Sequence, residues 1–174
     1  MNETIAKQSE NAIGKNREQV GCKGSYAWCA HFVGLILDVS GIKTIKGFET
    51  RNMYSCTEMQ RLMKDDLLNW SEPDDYPERG DIIFFDWDKI TEEKPLDHVG
   101  VIVDFDRLSG TIDYVNGNGS NADYVTKQSI HWQNNTVAYW MRYTGATSDR
   151  VQELERQLAE LKDKIGKIKN ILDI

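Results

Sequence analysis

The sequence predicts an α+β fold, because helical patterns occupy the first part of the chain and short strands follow. Tyr26–Val39 is apolar nearly all round, which is typical of a buried helix. Weaker helical patterns cover Asn2–Val20, ending near Gly21, and Ser55–Leu68. From Gly80 onward, β-branched and aromatic runs alternate with turn residues, which favours an antiparallel sheet. The predicted strands are Asp81–Phe85, His98–Phe105, Thr111–Asn116 and Val137–Tyr143, with a further short strand or turn within Tyr124–Gln128 and Ser129–Gln133.

A heptad pattern ends the chain after the linker Thr144–Ser148. Apolar residues recur there at alternating spacings of three and four, namely Val151, Leu154, Leu158, Leu161, Ile165, Ile168 and Leu172. This repeat favours a self-associating coiled coil, and an amphipathic helix folded back on the preceding domain stays open as the alternative. We therefore predict a globular domain over 1–144, a linker and coiled-coil helix over 145–174, and a homo-oligomer of undetermined strand number and orientation.

The charge is distributed unevenly along the chain. The net charge of −7 comes from residues 1–147, because the tail after Ser148 carries six acids and six bases. Between Asp65 and Asp97 there are 12 acids and three bases, which indicates a solvated acidic surface or, alternatively, a cation site or an acidic groove. An acidic chain without a basic stripe argues against nucleic acid and membranes as partners. No secretory signal is evident at the start, and nothing indicates a cofactor.

Cys29 is the cysteine best placed for chemistry. The three cysteines, Cys22, Cys29 and Cys56, form neither a disulfide framework nor a zinc pattern. Cys29 lies at the start of the buried helix, where unpaired N–H groups and the helix dipole favour thiolate over thiol. On position alone, a reactive thiol and a small core residue stay equally open. Cys22 and Cys56 lack the helix-start and histidine context, so we predict that they are inert.

A nucleophilic thiol needs a base, and His98 is the best candidate among three histidines. His31 is two residues beyond Cys29, so on a helix it points about 200° away. His131 lies in a polar segment that we predict to be a surface loop. His98 opens an apolar strand, and Gly100 two residues later permits a close approach of other groups.

A third group should orient the imidazole by accepting a hydrogen bond from its second nitrogen. The strand after that of His98 ends in the polar stretch Asn116–Asn118. If the two strands pair as neighbours, we expect Asn116 to lie beside His98.

Four blocks of the sequence carry a family pattern. In order, they are Ala27–Val33 (AWCAHFV), Pro77–Trp87 (PERGDIIFFDW), Asp97–Ile102 (DHVGVI) and Val115–Asn118 (VNGN). Together they resemble the CHAP domain (cysteine, histidine-dependent amidohydrolase/peptidase) over about residues 10–144. The resemblance implies a papain-like fold related to NlpC/P60 proteins, with N-terminal helices packed on an antiparallel sheet, over the predicted domain 1–144. Family members are mostly peptidoglycan hydrolases from phage endolysins, tail-associated lysins and autolysins.

The resemblance implies roles for individual residues. Cys29 matches the nucleophile and His98 the general base. Asn116 stands where many members have Glu, and Asn118 matches an Asn commonly counted in the active site. An Asn can orient the imidazole but supplies no charge to stabilise its cation. Three aromatic residues are expected either to line the substrate groove or to belong to the core: Trp28, Trp87 and Tyr114.

No metal is expected in the site. Some members bind calcium through an acidic loop before the nucleophile, but Gly21–Trp28 contains no acidic residue. A weak cation site formed by Asp86, Asp88 and Asp97 stays open.

These features predict a peptidoglycan hydrolase of the phage endolysin type, acting by thiol acyl transfer on an amide bond of the wall peptide. We expect it to stay in the host cytoplasm until holin-type release. Whether it is an amidase or an endopeptidase stays open. The alternatives are a weakly active or inactive CHAP-like module, assembled by its coiled coil as a wall-binding or structural component, and a fragment of a tail-associated lysin.

Overall fold

The computed structural model of the chain describes residues 1–22, 27–87, 96–119, 123–145, 156–162, 164, 165 and 167. Helices precede an antiparallel sheet, which confirms the predicted α+β class. The α-helices are α1 (Asn2–Glu10), α2 (Cys29–Val39) and α3 (Cys56–Asp65), and a 3-10 turn covers Thr50–Asn52. The strands are β1 (Thr44–Ile45), β2 (Phe48–Glu49), β3 (Trp70–Ser71), β4 (Ile82–Phe85), β5 (His98–Asp106), β6 (Thr111–Asn116), β7 (Thr126–His131) and β8 (Val137–Tyr143).

The main sheet has six strands in the order β3-β8-β4-β5-β6-β7, and every neighbouring pair is antiparallel. Strands β4 and β5 lie at its centre, so the side chains of β4 and of residues 98–103 of β5 are buried on both faces. The first residue of β5, His98, pairs with the last residue of β4, Phe85. The last residue of β4 and the first residue of β5 therefore lie side by side at one end of the central strands, and the candidate catalytic histidine is located there.

Alternate residues of the strands point to two hydrophobic clusters. One cluster joins the helices to one face of the sheet and includes Phe32 of α2 and Val99, Val101 and Val115 of the strands. The other covers the opposite face, with Ile83, Phe85, Ile102, Ile112 and Tyr114. Helix α2 is apolar nearly all round because the sheet and the neighbouring helices cover it.

Ion pairs of two arginines tie separate parts of the chain to this core. Arg79 pairs with Glu3 and Glu10, which anchors α1 to the segment before β4. Arg142 of β8 pairs at 2.9 Å with the fully buried Asp81. Burial raises the pKa of the Asp81 carboxyl, although the guanidinium acts in the opposite direction.

The structure corrects two expectations about elements. Helix α1 ends at Glu10 rather than near Gly21, because Gly14 adopts a positive φ of 80° and its N–H group bonds to Val125 O, which turns the backbone toward the sheet. The segment around His131 is not a loop: it forms the end of the single strand β7, paired with β6, although the His131 side chain is exposed as predicted.

The heptad segment falls largely outside the described residues, as Val151, Leu154, Ile168 and Leu172 do. Residues 156–162 are helical, and the side chains of Leu158, Leu161 and Ile165 are each about half exposed. The coiled coil therefore stays a prediction. Within the described residues, no helix combines the length and the apolar character that crossing a membrane requires.

Candidate active site

Cys29 is the first residue of α2 and is 3% exposed. The first backbone hydrogen bond of the helix runs from Phe32 N to Trp28 O, at 2.8 Å. The N–H groups of residues 29–31 therefore have no acceptor within the helix. Among the described residues, no side chain caps this end, and no acidic residue lies in its first turn. The positive end of the helix dipole is left to act on the Cys29 thiol.

The neighbours of Cys29 favour its thiolate. A hydrogen bond from Cys56 lowers the pKa of the Cys29 thiol most, burial opposes this, and the hydrogen bonding and charge of His98 and the Ala30 N–H group lower it further. The two sulfur atoms of Cys29 and Cys56 are 3.5 Å apart. The net effect holds the pKa of Cys29 well below that of an ordinary thiol.

His98 is held at the start of β5 by aromatic rings. Its side chain is 2% exposed, and its imidazole stacks on the Trp87 ring at a centroid distance of 5.3 Å and an interplanar angle of 24°. The Phe85 ring lies against it at 5.8 Å. Among the described residues, its Nε2 atom has no hydrogen-bond partner. His98 therefore combines a fixed ring plane with one unsatisfied nitrogen.

Asn116 lies at the end of β6. Strand β6 pairs with β5, which was the condition for Asn116 to lie beside His98. The register sets Val101 opposite Val115, and its continuation brings Asn116 next to Gly100. A Cβ atom on Gly100 would lie 3.5 Å from the Asn116 Cβ and only 2.9 Å from the Tyr114 ring, so a glycine is required for this close packing. In a sheet, His98 and Asn116 are then diagonal neighbours.

The Asn116 side chain is fully buried, and neither its Oδ1 nor its Nδ2 has a partner among the described residues. A Cβ atom on Gly119 would lie 2.1 Å from Oδ1, so the backbone of Gly119 covers the amide directly. Burying an amide without partners costs about 1–3 kcal/mol per group. Unpaired atoms on both His98 and Asn116, among the described residues, make this the buried polar region of the candidate site.

Gly117 brings the end of β6 to the start of α2. A Cβ atom at this position would lie 2.4 Å from the Trp28 ring and 3.0 Å from the Phe32 Cβ. Asn118 follows in the left-handed conformation, with φ of 60°, and is partly exposed. The stretch Asn116–Asn118 therefore packs against the same helix end that carries Cys29.

The three aromatic residues predicted for a groove occupy different environments. Trp87 is 57% exposed and covers His98. Trp28 is fully buried against Phe32. Tyr114 is largely buried, its hydroxyl donates to Gln128 Oε1 at 2.6 Å, and burial raises its pKa to about 12. Of the three, Trp87 offers the largest surface to a ligand.

Cys56 also lies at the start of a helix, which the sequence analysis did not predict. It is the first residue of α3, and Ser55 caps this helix by accepting a hydrogen bond from Glu58 N at 3.2 Å. A serine followed three residues later by a glutamate is a capping-box pattern, so the sequence does contain a signal for this helix start. Only the tertiary structure brings the Cys56 thiol to Cys29.

Cys22 differs from the other two thiols. It is fully buried, and burial raises its pKa to about 12. This environment disfavours the thiolate and agrees with an inert core residue.

The open cation site of Asp86, Asp88 and Asp97 is described only in part. Asp88 lies outside the described residues, and Asp97 accepts a hydrogen bond from Trp87 N at 2.7 Å. Across the part of the chain that the structure describes, no three metal-ligating side chains converge.

Comparison with known proteins places this geometry in a family. No curated protein matches the sequence. The crystal structure of Ly7917 is similar in fold, with a TM-score of 0.52 at 13% identity, over 82% of this chain and 62% of that one. The family model of the CHAP domain matches residues 21–118, a span that runs from just before α2, across the Cys29 and His98 positions, to Asn118 at the end of the fourth block. With more than half of its length matched in this way, the chain belongs to the CHAP domain family.

Proposed function

We propose that the protein is a cysteine amidohydrolase or peptidase that cleaves an amide bond of peptidoglycan, with Cys29 as the nucleophile. One observation carries this proposal: the Cys29 thiol, with its lowered pKa, lies at a helix start that no described side chain caps, within the influence of His98. The CHAP family, whose members are cysteine- and histidine-dependent amidohydrolases and peptidases, supplies the reaction class.

The proposed reaction is acyl transfer. The Cys29 thiolate attacks the amide carbonyl and forms a tetrahedral intermediate, whose oxyanion accepts hydrogen bonds from N–H groups at the start of α2, including that of Cys29. Protonated His98 donates its proton to the leaving amine, and the thioester remains on Cys29. A water molecule, deprotonated by His98, then hydrolyses the thioester and restores the thiolate.

Asn116 has the proposed role of orienting His98. The described structure has no hydrogen bond between the His98 Nε2 and the Asn116 amide. The proposed role rests on their placement as diagonal neighbours on β5 and β6 and on their complementary donor and acceptor groups. The amide is neutral, so it gives the imidazolium less stabilisation than a carboxylate would. This neutrality is the observation that favours the second candidate function, a weakly active CHAP module that binds the wall. Asn118, partly exposed beside Asn116, is proposed to contact the substrate together with Trp87.

Loss of turbidity in a suspension of purified peptidoglycan tests the proposal. We expect wild-type protein to clear the suspension and Cys29→Ala to leave it unchanged. Cys22→Ala is the matched control, because Cys22 is a buried thiol with a raised pKa and should clear the suspension like wild type. Equal clearing by wild type and Cys29→Ala would contradict the proposal. Sedimentation of an intact, folded wild-type protein with the wall, without clearing, would favour the second candidate.

Mass spectrometry of the digested wall identifies the bond. New free amino termini on the first alanine of the stem peptide would indicate an amidase. Cut cross-bridges or stem peptides would indicate an endopeptidase.

We further propose an enzyme of the phage endolysin type, released from the host cytoplasm through a membrane lesion. Cells that produce the protein should then lyse only after their membrane is permeabilised, and not during production alone. Lysis of intact producing cells would contradict release through a lesion, and activity from outside only as part of a larger particle would favour a tail-associated lysin.

The heptad tail is proposed to assemble the protein into an oligomer. Leu158 and Leu161 are about half exposed, which leaves apolar surface available for a partner helix. Light scattering of wild type and of a Leu158→Ser/Leu161→Ser variant tests this. We expect an oligomer for wild type and a monomer for the variant, and a monomer in both cases would contradict it.

A further inference from the structure

Two helices meet thiol to thiol at the candidate site. The Cys29 and Cys56 sulfur atoms are 3.5 Å apart, at the first residues of α2 and α3. Cys29 is 3% and Cys56 7% exposed, so protein surrounds both sulfur atoms almost completely. A contact of this length in a buried place is a hydrogen bond in which one thiol donates and the other sulfur accepts.

The start of α3 is fixed against the strand that carries His98. Thr57 Oγ1 accepts a hydrogen bond from Leu96 N at 2.9 Å, two residues before His98. Ser55 caps the helix, and Met59 one turn later is fully buried in the core. Cys56 is thus held in place from both sides, and its position relative to Cys29 does not depend on its own side chain.

We propose that Cys56 is a positioning residue whose thiol donates a hydrogen bond to the Cys29 sulfur and holds it as the thiolate nucleophile. This inference rests on the proposed role of Cys29 and adds a residue to that site. Cys56 acts through Cys29 and, at 7% exposure, contributes almost no surface to the substrate.

The charges around the pair decide which sulfur donates. Two thiolates at this distance repel each other, so only one sulfur carries charge near neutral pH. His98 lies within interaction range of Cys29 and favours its thiolate. The Asp97 carboxylate lies within electrostatic range of Cys56 and disfavours a second anion there.

The pKa directions agree with this assignment. The hydrogen bond with Cys29 and burial raise the pKa of the Cys56 thiol, while the hydrogen bond from Cys56 is the largest of the effects that lower the pKa of Cys29. A thiol is a weak donor to a neutral acceptor, but a hydrogen bond to an ionised acceptor is about twice as strong. The donor that stabilises the nucleophile is therefore available before any substrate arrives.

The pH dependence of alkylation tests the proposal without peptidoglycan. Iodoacetamide reacts with the thiolate, and mass spectrometry of peptides follows Cys29, Cys56 and Cys22 separately, with the thiols kept reduced by a phosphine. In wild type, we expect Cys29 to react first and Cys56 to stay unmodified between pH 5 and 9. Faster reaction of Cys56 than of Cys29 would overturn the proposal, because the donor and acceptor would then be reversed.

Two substitutions separate hydrogen bonding from packing. In Cys56→Ala, the midpoint of the Cys29 profile should rise by about one pH unit or more, because a charge-assisted hydrogen bond is lost. In Cys56→Ser, which keeps a hydrogen-bond donor, the Cys29 midpoint should rise by less than half of the shift in Cys56→Ala. An unchanged midpoint in Cys56→Ala, or equal shifts in the two variants, would overturn the proposal. Cys22→Ala is the control and should leave the midpoint unchanged.

Failure of this inference is distinguishable from failure of the proposed function. Clearing of peptidoglycan with no shift in Cys56→Ala would remove the role of Cys56 alone. A shift without any clearing by wild type would keep the Cys56 hydrogen bond and remove the proposed hydrolysis. If Cys56→Ala does not fold, as judged by circular dichroism, the wild-type order of alkylation still decides.

Discussion

The starts of α2 and α3 form an instructive comparison, because each helix begins with a buried cysteine. Helix α3 is capped by the Ser55 side chain and carries Glu58 in its first turn, so its N-terminal charge is already compensated. Helix α2 has no acidic residue in its first turn and, among the described residues, no side-chain cap. The N–H groups at the start of α2 remain available to the Cys29 sulfur, as the contribution of Ala30 shows.

The neighbouring strand enhances this difference. Asp97, just before β5, and His98, its first residue, act on the two thiols with opposite charge: His98 on Cys29 and Asp97 on Cys56. The same residue type in the same local position therefore becomes the thiolate at one helix and its hydrogen-bond donor at the other. Helix position alone does not determine thiol reactivity; the cap and the nearest charges do.

Replacement of His98 should have the largest effect on the difference between the Cys29 and Cys56 thiols. In His98→Gln, Cys29 loses the hydrogen bond and the positive charge that favour its thiolate, and the proposed reaction loses its base. We expect the rate of peptidoglycan clearing to fall by about 1000-fold, within the range for loss of a general acid–base group. The alkylation midpoint of Cys29 should rise in parallel.

His131→Gln is the matched control, because His131 is exposed at the end of β7 and belongs to no part of the proposed site. Its clearing rate should stay within about twofold of wild type, as for a typical surface substitution. If His98→Gln clears peptidoglycan as fast as His131→Gln, His98 is not what makes Cys29 differ from Cys56.

Gly117→Ala should disturb the packing of the end of β6 against the start of α2. The added methyl group would lie 2.4 Å from the Trp28 ring, so the Asn116–Asn118 stretch has to move away from the helix. Overpacking of this kind costs about 1–3 kcal/mol. We expect a lower thermal midpoint and about tenfold slower clearing, because the orienting amide moves away from His98.

Circular dichroism melting and turbidity measure both effects of Gly117→Ala. Wild-type values for the midpoint and the rate would show that Gly117 does not hold the stretch against α2.

Ser55→Ala should have the smallest effect, and mainly on stability. It removes the cap of α3, which costs about 1 kcal/mol of unfolding free energy, measured from urea midpoints. Ser55→Thr keeps a hydroxyl acceptor and should retain most of the stability. Equal losses in the two variants would indicate that Ser55 acts by packing, and no loss in either would show that the cap of α3 contributes nothing.

Much of the fold was predictable from local sequence. Thr111–Asn116 and Val137–Tyr143 match β6 and β8 residue for residue, because β-branched and aromatic runs bounded by clear turn residues define them. The N-terminal helix was predicted too long, since the weak apolar spacing after Glu10 gave no sign that Gly14 bonds to Val125. The two-residue strands β1, β2 and β3 carry too little pattern to be recognised.

The candidate site was predictable in part for the same reason. Cys29 precedes an apolar helix and His98 opens an apolar strand, so each could be identified from its own neighbours. The surroundings of Trp28 and Trp87 could not be predicted, because an aromatic residue next to a catalytic block suits the core and a groove equally. Their different exposure follows from Gly117 covering one ring and nothing in the described residues covering the other to the same extent.

By itself, the sequence determined the class of the fold, the family and the identity of the candidate nucleophile and base, because these depend on local periodicity and short blocks. Only the tertiary structure decided that Cys56 contacts Cys29 and that Asp97 acts on Cys56 while His98 acts on Cys29. It also decided that Gly117, next to Asn116, packs against α2. These contacts join residues 27 to 89 positions apart, and a residue pattern read along the chain carries no information about which distant side chains meet. Packing of α2 and α3 on the start of β5 supplies that information.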